Sequence, residues 1–297
     1  MISVIIPSYR NKNMLLKNLH SNIDFLKDLE IIVINDYPQE SLKNELKNSH
    51  LALIENKKNL GFGQSVNKGV IKAKNKYILI LNSDVKLINR EFLNSVKHFK
   101  DNKKLFAIAF AQKEKGGLIV GKNKFFWRYG MFRHKANPNL SFGLNSWAEG
   151  GSSIIDRDKF LNLGGFDELY TPFYWEDIDL SYRAWKSGYE ILFEPKIIVN
   201  HNHESTISAY FGKDYVKTIS YRNQFIFIWK NISDMRLLLE HILFFIPNMI
   251  YFLIKGELSY FKGLFNAVLK LNGVLNHKNK QISLYTLSDI DVLNKFK

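Results

Sequence analysis

Short, wholly apolar runs alternate with longer stretches of helical spacing through the first two-thirds of the chain. The runs SVIIP (3–7), EIIVIN (30–35), LALIE (51–55) and YILIL (77–81) are rich in Ile and Val and predict buried strands. Residues 14–26 and 63–74 place apolar side chains near a 3.6-residue period and predict helices. Strand and helix in alternation predict an α/β fold, a mostly parallel sheet with helices on both faces. Further strands are predicted over 105–111, 152–156, 189–195 and 196–201. Between the first two of these, residues 112–145 read as a basic, aromatic, loop-rich insertion containing KFFWRYGMFRH. Insertions of that length are functional or mobile. From about residue 206 the pattern becomes helical, in YRNQFIFIWKNI, LLLEHILFFIPNMIYFLI and YFKGLFNAVLKLNGVL. The expected organisation is an α/β domain over 1–205 and a helical region over 206–297.

Acidic residues punctuate the strand ends. ILILNSDVKL (78–87) stops an apolar strand at Asn82-Ser83-Asp84, residues that form turns but also place a carboxylate at a strand's C-terminal edge. In an open α/β sheet that edge is where ligands bind. Asp36 follows EIIVIN, and Asp177 and Asp179 stand in YWEDIDLSYR. Carboxylates gathered at one crevice repel one another unless a cation or a hydrogen-bonding ligand sits between them. Mg²⁺ and Mn²⁺ favour oxygen ligands and leave positions open for phosphate oxygens. NLGFGQSVNKG (59–69) has Gly61 and Gly63 for a sharp turn before a helix but Val66 where a dinucleotide fingerprint needs glycine. A helix-entry turn and a nucleotide contact both remain open for it.

Composition narrows the classes. The chain has 297 residues, 46% hydrophobic, which supports a real core. It has no cysteine, so disulfides and thiolate metal sites are excluded, as suits a reducing compartment. MISVIIPSYR has neither a basic n-region nor a long apolar h-region and reads as a strand, not a signal peptide. A net charge of +14 favours anionic partners such as phosphates or anionic lipid. No zinc-finger or RNA-binding signature is present, so nucleic acid is not an expected partner.

The ordered motifs SVIIPSYRN, EIIVINDYP, NLGFGQSVNKG, YILILNSDVKL, GGFDELYTPFYWEDIDLSYRAWKSGYEILFEP and IIVNHNHEST resemble glycosyltransferase family 2, over about residues 2–206. The likeness is greatest to the bacterial rhamnosyltransferase-like and surface-polysaccharide branch. It implies a GT-A fold, a nucleotide-sugar donor (UDP- or dTDP-linked), a divalent cation (Mn²⁺ or Mg²⁺) and inversion at the anomeric carbon. On this resemblance Pro7, Tyr9, Asp36, Asn59, Gly61, Asn67 and Asn82 border the donor nucleotide, with Asp36 accepting from the base. Asp84 matches the metal-binding acid of the family's Asp-x-Asp motif, Asn82 standing where its first acid does. His201 matches a later histidine that completes the metal site; His203 is a weaker alternative. Asp177, the second acid of the Glu176-Asp177 pair, is implied as the catalytic base.

Residue chemistry agrees with those roles and offers rivals. An inverting transfer needs one carboxylate to take the acceptor hydroxyl's proton, while cations hold the leaving diphosphate. Asp177 opens a predicted helix (176–187), whose positive end favours an ionised carboxylate. First-turn acids are common there without any catalytic role. Asp179 and Arg183, spaced i,i+4, suit a surface ion pair, an Arg183 that stabilises the site by holding an acid in place, or an acceptor or sugar contact. Trp147, Tyr174 and Trp175, and also Trp127, could stack on a sugar or simply fill the core.

The stretch 237–254 is near spanning length but holds Glu240, His241, Pro247 and Asn248. A helix lying in a membrane interface, flanked by Arg236, Lys255 and Lys262, and a helix packed on the core are the stronger expectations. The chain is therefore expected to be an inverting, metal-dependent transferase on the cytoplasmic membrane face. Its expected acceptor is a glycan or lipid-linked glycan of a lipopolysaccharide, capsule or similar polymer. A nucleotidyltransferase would need a Gly-rich loop that PSYRNKNM lacks, and a non-catalytic binding relic would need a missing base or metal ligand.

Overall fold

The computed structural model describes residues 1–47, 49–201 and 210–297; His203 and the expected boundary near 205 lie outside the described residues. The strands are β1 (Ile2–Ser8), β2 (Glu30–Asn35), β3 (Ala52–Glu55), β4 (Tyr77–Leu81), β5 (Val85–Leu87), β6 (Leu105–Lys113), β7 (Ile119–Val120), β8 (Asn123–Arg128), β9 (Met131–Ala136), β10 (Gly143–Leu144), β11 (Ser152–Asp156) and β12 (Glu190–His201). The main sheet runs β10-β12-β6-β11-β4-β1-β2-β3, with β5 on β12 and β7 on β6. Pairings β1–β2, β1–β4, β2–β3 and β6–β12 are parallel, while β11 runs antiparallel between β4 and β6. This is the α/β architecture the alternation predicts.

Strand pleating feeds two cores. Ile78 and Ile80 of β4 enter one apolar cluster, and Tyr77, Leu79 and Leu81 enter the other. Each fully buried aliphatic side chain contributes about 1.5–3 kcal/mol, which is why the strands carry no polar alternation. The helices that cover the sheet are α1 (Lys12–Leu26), α2 (Lys43–Leu46), α3 (Phe62–Lys72), α4 (Glu91–Asn94), α5 (Val96–Asp101), α6 (Arg157–Asn162) and α7 (Glu176–Lys186). Beyond the undescribed segment come α8 (Lys213–Asn231), α9 (Met235–Leu243), α10 (Phe245–Ile254), α11 (Leu258–Val268), α12 (Leu271–Gln281) and α13 (Asp289–Asn294).

Three details depart from the sequence reading. The two strands expected over 189–195 and 196–201 are one strand, β12. Pro195, Lys196 and Ile197 bulge out between the partners Phe110 and Ala111, which frees the ladder from the missing proline N–H. The insertion is not all loop. β8 and β9 form a hairpin, with Arg128 opposite Met131 across a two-residue Tyr129-Gly130 turn. Both turn residues have positive φ (53° and 68°), as a right-twisted hairpin requires. The stretch 237–254 is broken into α9 and α10, bent by 42°. Pro247 has no N–H to offer the Leu243 carbonyl, so the helix cannot run through. Among the described residues no single helix is long and apolar enough to cross a membrane; the bent pair passes only when joined, by length and composition.

Candidate active site

The C-terminal ends of β1, β2, β4 and β12 open onto one cleft of about 740 Å³. It brings together Pro7, Tyr9, Asp36, Asn59, Gly61, Asn82 and Asp84 from the first part of the chain with Trp147, Tyr174, Trp175, Glu176, Asp177 and His201 from the rest.

Asp36 caps β2 and gathers the loop before α3. Its Oδ1 accepts from Leu60 N and Asn56 Nδ2 and its Oδ2 from Gly61 N, each at 2.8 Å. Burial pushes its carboxyl up despite these bonds. Most of its acceptor capacity is thus taken by the protein, so its evident work is to shape the turn and only its cleft-facing edge is left for a ligand. Gly61 sits at φ 80°, and a Cβ there would lie 2.7 Å from the Pro172 carbonyl oxygen, so no other residue fits.

Asn82-Ser83-Asp84 proves to be both a turn and an acidic edge. Val85 N bonds the Asn82 carbonyl, and Asn11 Nδ2 donates to Ser83 Oγ at 2.6 Å. Asp84 Oδ1 is buried with no hydrogen-bond donor, 3.3 Å from His201 Nε2. The other ring nitrogen, Nδ1, lies 2.7 Å from Gln112 Oε1. The Gln112 amide is oriented by its own neighbour, because its Nε2 donates to Glu149 and a carboxylate only accepts. In the neutral ring the proton therefore sits on Nδ1, and Nε2 presents a lone pair toward Asp84. A carboxylate oxygen and an imidazole nitrogen side by side on the cleft are a donor set suited to a cation. Among the described residues no three His, Asp or Glu side chains converge on such a point.

The Glu176-Asp177 pair opens α7. The two residues before it, Tyr174 (φ 70°) and Trp175 (φ 75°), hold the left-handed region, an uncommon conformation that concentrates at functional sites. Asn223 of α8 holds them there, donating to the Phe173 and Tyr174 carbonyls at 3.0 and 2.7 Å. Asp177 accepts from Gly150 N at 3.1 Å and from Ile178 N at 2.8 Å and keeps a partly exposed edge on the cleft. Burial pushes its carboxyl up to about 6; the Gly150 N–H opposes this and the nearby Glu149 charge adds to it. The ionising pull expected of a helix start is thus outweighed. Glu176 is driven well above the ordinary carboxyl range by burial and by Asp177, and its Oε2 has no partner.

Four residues are not where their proposed roles need them. Asp179 and Arg183 are 0% and 1% exposed and face away from the cleft. Asp179 accepts from Tyr170, Arg183, Lys230 and Asn231. Burial alone would raise its carboxyl, but Lys230 and Arg183 hold it below the usual range. Arg183 also ties the Leu163 and Gly165 carbonyls, so the pair is a buried anchor and neither a surface pair nor a sugar contact. Asn67 is spent on Phe166, donating to its carbonyl (2.8 Å) and accepting from its N–H (2.9 Å). Trp127 packs in the hairpin, off the cleft.

The cleft also holds residues that carried no signal in the sequence. Gly151 gives its carbonyl to Asn82 N at 2.9 Å, and a Cβ there would meet Asn82 at 2.9 Å and crowd His201. His134 of β9 stands edge-on to Trp147 and Trp175, and burial lowers it to about 4, so it is neutral at physiological pH.

The profile of glycosyl transferase family 2 matches residues 3–164, and that of the N-terminal domain of galactosyltransferase matches 132–205. An uncharacterized glycosyltransferase of Methanocaldococcus jannaschii is 28% identical over 130 residues, 40% of this chain and 45% of that protein. A pre-mycofactocin glycosyltransferase of Mycobacterium tuberculosis is 24% identical over 224 residues, 71% of this chain and 45% of that protein. The chain thus spans less than half the length of these relatives. Similar solved folds include GalNAc-T7 with UDP, GalNAc and Mn²⁺ (TM-score 0.61, 18% identity, 77% of this chain and 48% of that one). Another is the mannosyltransferase PcManGT of Pyrobaculum calidifontis with GDP-Man and Mn²⁺ (0.53, 13% identity, 96% and 81%).

Proposed function

This chain belongs to glycosyltransferase family 2, and on that premise we propose that it moves a sugar from a nucleotide-diphosphate donor to a hydroxyl acceptor with inversion at the anomeric carbon. One observation carries the reading. A cation-seeking pair, Asp84 and His201, and a carboxylate of raised basicity, Asp177, line the same cleft.

In this reading Asp177 takes the proton from the acceptor hydroxyl as its oxygen bonds to the anomeric carbon. The bond to the diphosphate breaks, and its electron pair leaves with the phosphate oxygen. Asp84 Oδ1 and His201 Nε2 would hold the Mn²⁺ or Mg²⁺, which when bound supplies the charge a leaving diphosphate needs. Gly61 and Gly151 let the backbone approach the ligand, and Tyr174, Trp175 and Trp147 offer rings to a sugar. The solved folds that carry UDP or GDP-Man support a nucleotide-sugar donor; for this chain we favour UDP or dTDP and a hexosyl or rhamnosyl group. A glycan or lipid-linked glycan of a bacterial surface polysaccharide is the acceptor we propose. The test is the product's anomeric configuration by NMR. Opposite configuration to the donor is expected, and retention would overturn the role of Asp177.

Two further outcomes follow from the site. A base titrating near 6 is lost on acidification, so kcat/KM at pH 5 should be about tenfold below that at pH 7. An ordinary aspartate would lose little over that range. Gln112→Leu removes the acceptor that keeps the proton on His201 Nδ1 and should weaken Mn²⁺ binding by about 10–100-fold, read by calorimetry.

A further inference from the structure

The outer face of α9 and α10 is an aliphatic stripe that no described residue covers. Leu239, Ile242 and Leu243 on α9 and Ile250, Leu253 and Ile254 on α10 are 53–79% exposed, at helical spacing. Scattered apolar side chains are ordinary on a protein surface; a contiguous stripe is not. The opposite face is committed to the protein: Leu237 is buried, and Leu238, Phe245, Met249 and Phe252 pack against the core. His241 Nδ1 reaches the Gly130 carbonyl at 2.6 Å, and Asn248 Nδ2 donates to the Tyr129 carbonyl at 3.0 Å. The hairpin tip is thereby fixed beside the bent pair.

The fully exposed charges beside the stripe are basic. Arg128, Arg236, Lys255 and Lys262 are exposed. The nearby acids are turned aside: Glu240 accepts from Gly130 N at 3.2 Å, and Glu257 pairs with Lys217 at 2.8 Å. An apolar stripe inside a basic rim matches an anionic lipid surface, acyl chains under the first and phosphates under the second.

We infer that α9, α10 and the Tyr129-Gly130 hairpin tip form a docking surface that lies flat in the interface of an anionic bilayer, such as the cytoplasmic leaflet of a cell membrane. Lying flat rests on the break between the helices and on the bonds that tie one face to the hairpin. Helices of nine and ten residues rise about 15 Å each, half the ~30 Å a span must cross, and they bend by 42° at their joint. Straightening them through a membrane would also orphan the bonds to Gly130 and Tyr129. This inference does not depend on the reaction assigned to the cleft.

The test is co-sedimentation of the full chain with vesicles of phosphatidylcholine alone or with phosphatidylglycerol, at low and high salt. Binding to the phosphatidylglycerol vesicles, weakened by salt, is expected. Ile242→Glu with Leu253→Glu should cut partitioning at least tenfold while the unfolding midpoint and nucleotide binding stay near wild type, since both side chains face outward. Equal binding to both vesicles would overturn the anionic assignment. No vesicle binding, with a dimer that the double variant splits into monomers, would assign the stripe to a second copy of the chain. No binding from a monomer would also overturn the inference.

Discussion

Asp177→Asn should lower transfer about 10²–10⁴-fold, the range a general base contributes, while nucleoside diphosphate binding with Mn²⁺ stays near wild type. The amide keeps the shape but has a single oxygen, so it can accept from only one of Gly150 N and Ile178 N, and it cannot take a proton. The pH dependence of stability should change as well. The folded carboxyl titrates near 6, above an unfolded value of ~4, so ionising it opposes folding as the pH rises through that window and by a constant amount above it. Between pH 5 and pH 7.5 the variant should therefore lose less stability than wild type, as seen by differential scanning calorimetry. Near-normal turnover would refute the base assignment. Lost activity with lost stability would point to a damaged fold instead.

Lys230→Met should cost about 3–5 kcal/mol, the usual cost of removing one partner from a buried charge cluster. Lys230 Nζ, fully buried, lies 2.5 Å from Asp167 Oδ2 and 2.8 Å from Asp179 Oδ1. The unfolding midpoint should fall by roughly 5–15 °C. Asp179 keeps Arg183 and Asp167 keeps His277, but each carboxylate has lost its lysine and is relieved further by protonation, so the deficit should shrink as the pH drops toward ~4. A change under about 1 kcal/mol would mean that α8 does not brace the start of α7. A full loss would show that the catalytic loop depends on residues far along the chain, with Asn223 and Lys230 acting from the same helix.

The sheet was legible because its strands are continuous apolar runs, a pattern that only burial on both faces explains. The hairpin was missed because its turn is Tyr-Gly; a tyrosine at positive φ is not a turn signal, although Phe125 and Trp127 alternate with Lys124 and Phe126 in strand fashion. The i,i+4 pairing of Asp179 with Arg183 was readable, but its burial was not. Lys230, which settles it, is 51 residues away and has no local pattern to announce it. The basicity of Asp177 was read with the wrong sign because local sequence shows the helix start and not the burial around it. Gln112 and Glu149 act through another residue, and such positioning groups have no spacing of their own. The acids at the strand ends, by contrast, stood out as polar stops on apolar runs, and the fold gathers Asp36, Asp84 and Asp177 at one cleft.

The most direct measurement is release of nucleoside diphosphate from a panel of UDP-, dTDP- and GDP-sugars, with Mn²⁺ and with chelator, for wild type and Asp84→Ala. Release from one donor that requires Mn²⁺, stops with chelator and is lost in the variant is the expected result. Release unchanged by chelator or by Asp84→Ala would contradict the cation site, and with it the transferase assigned to this cleft.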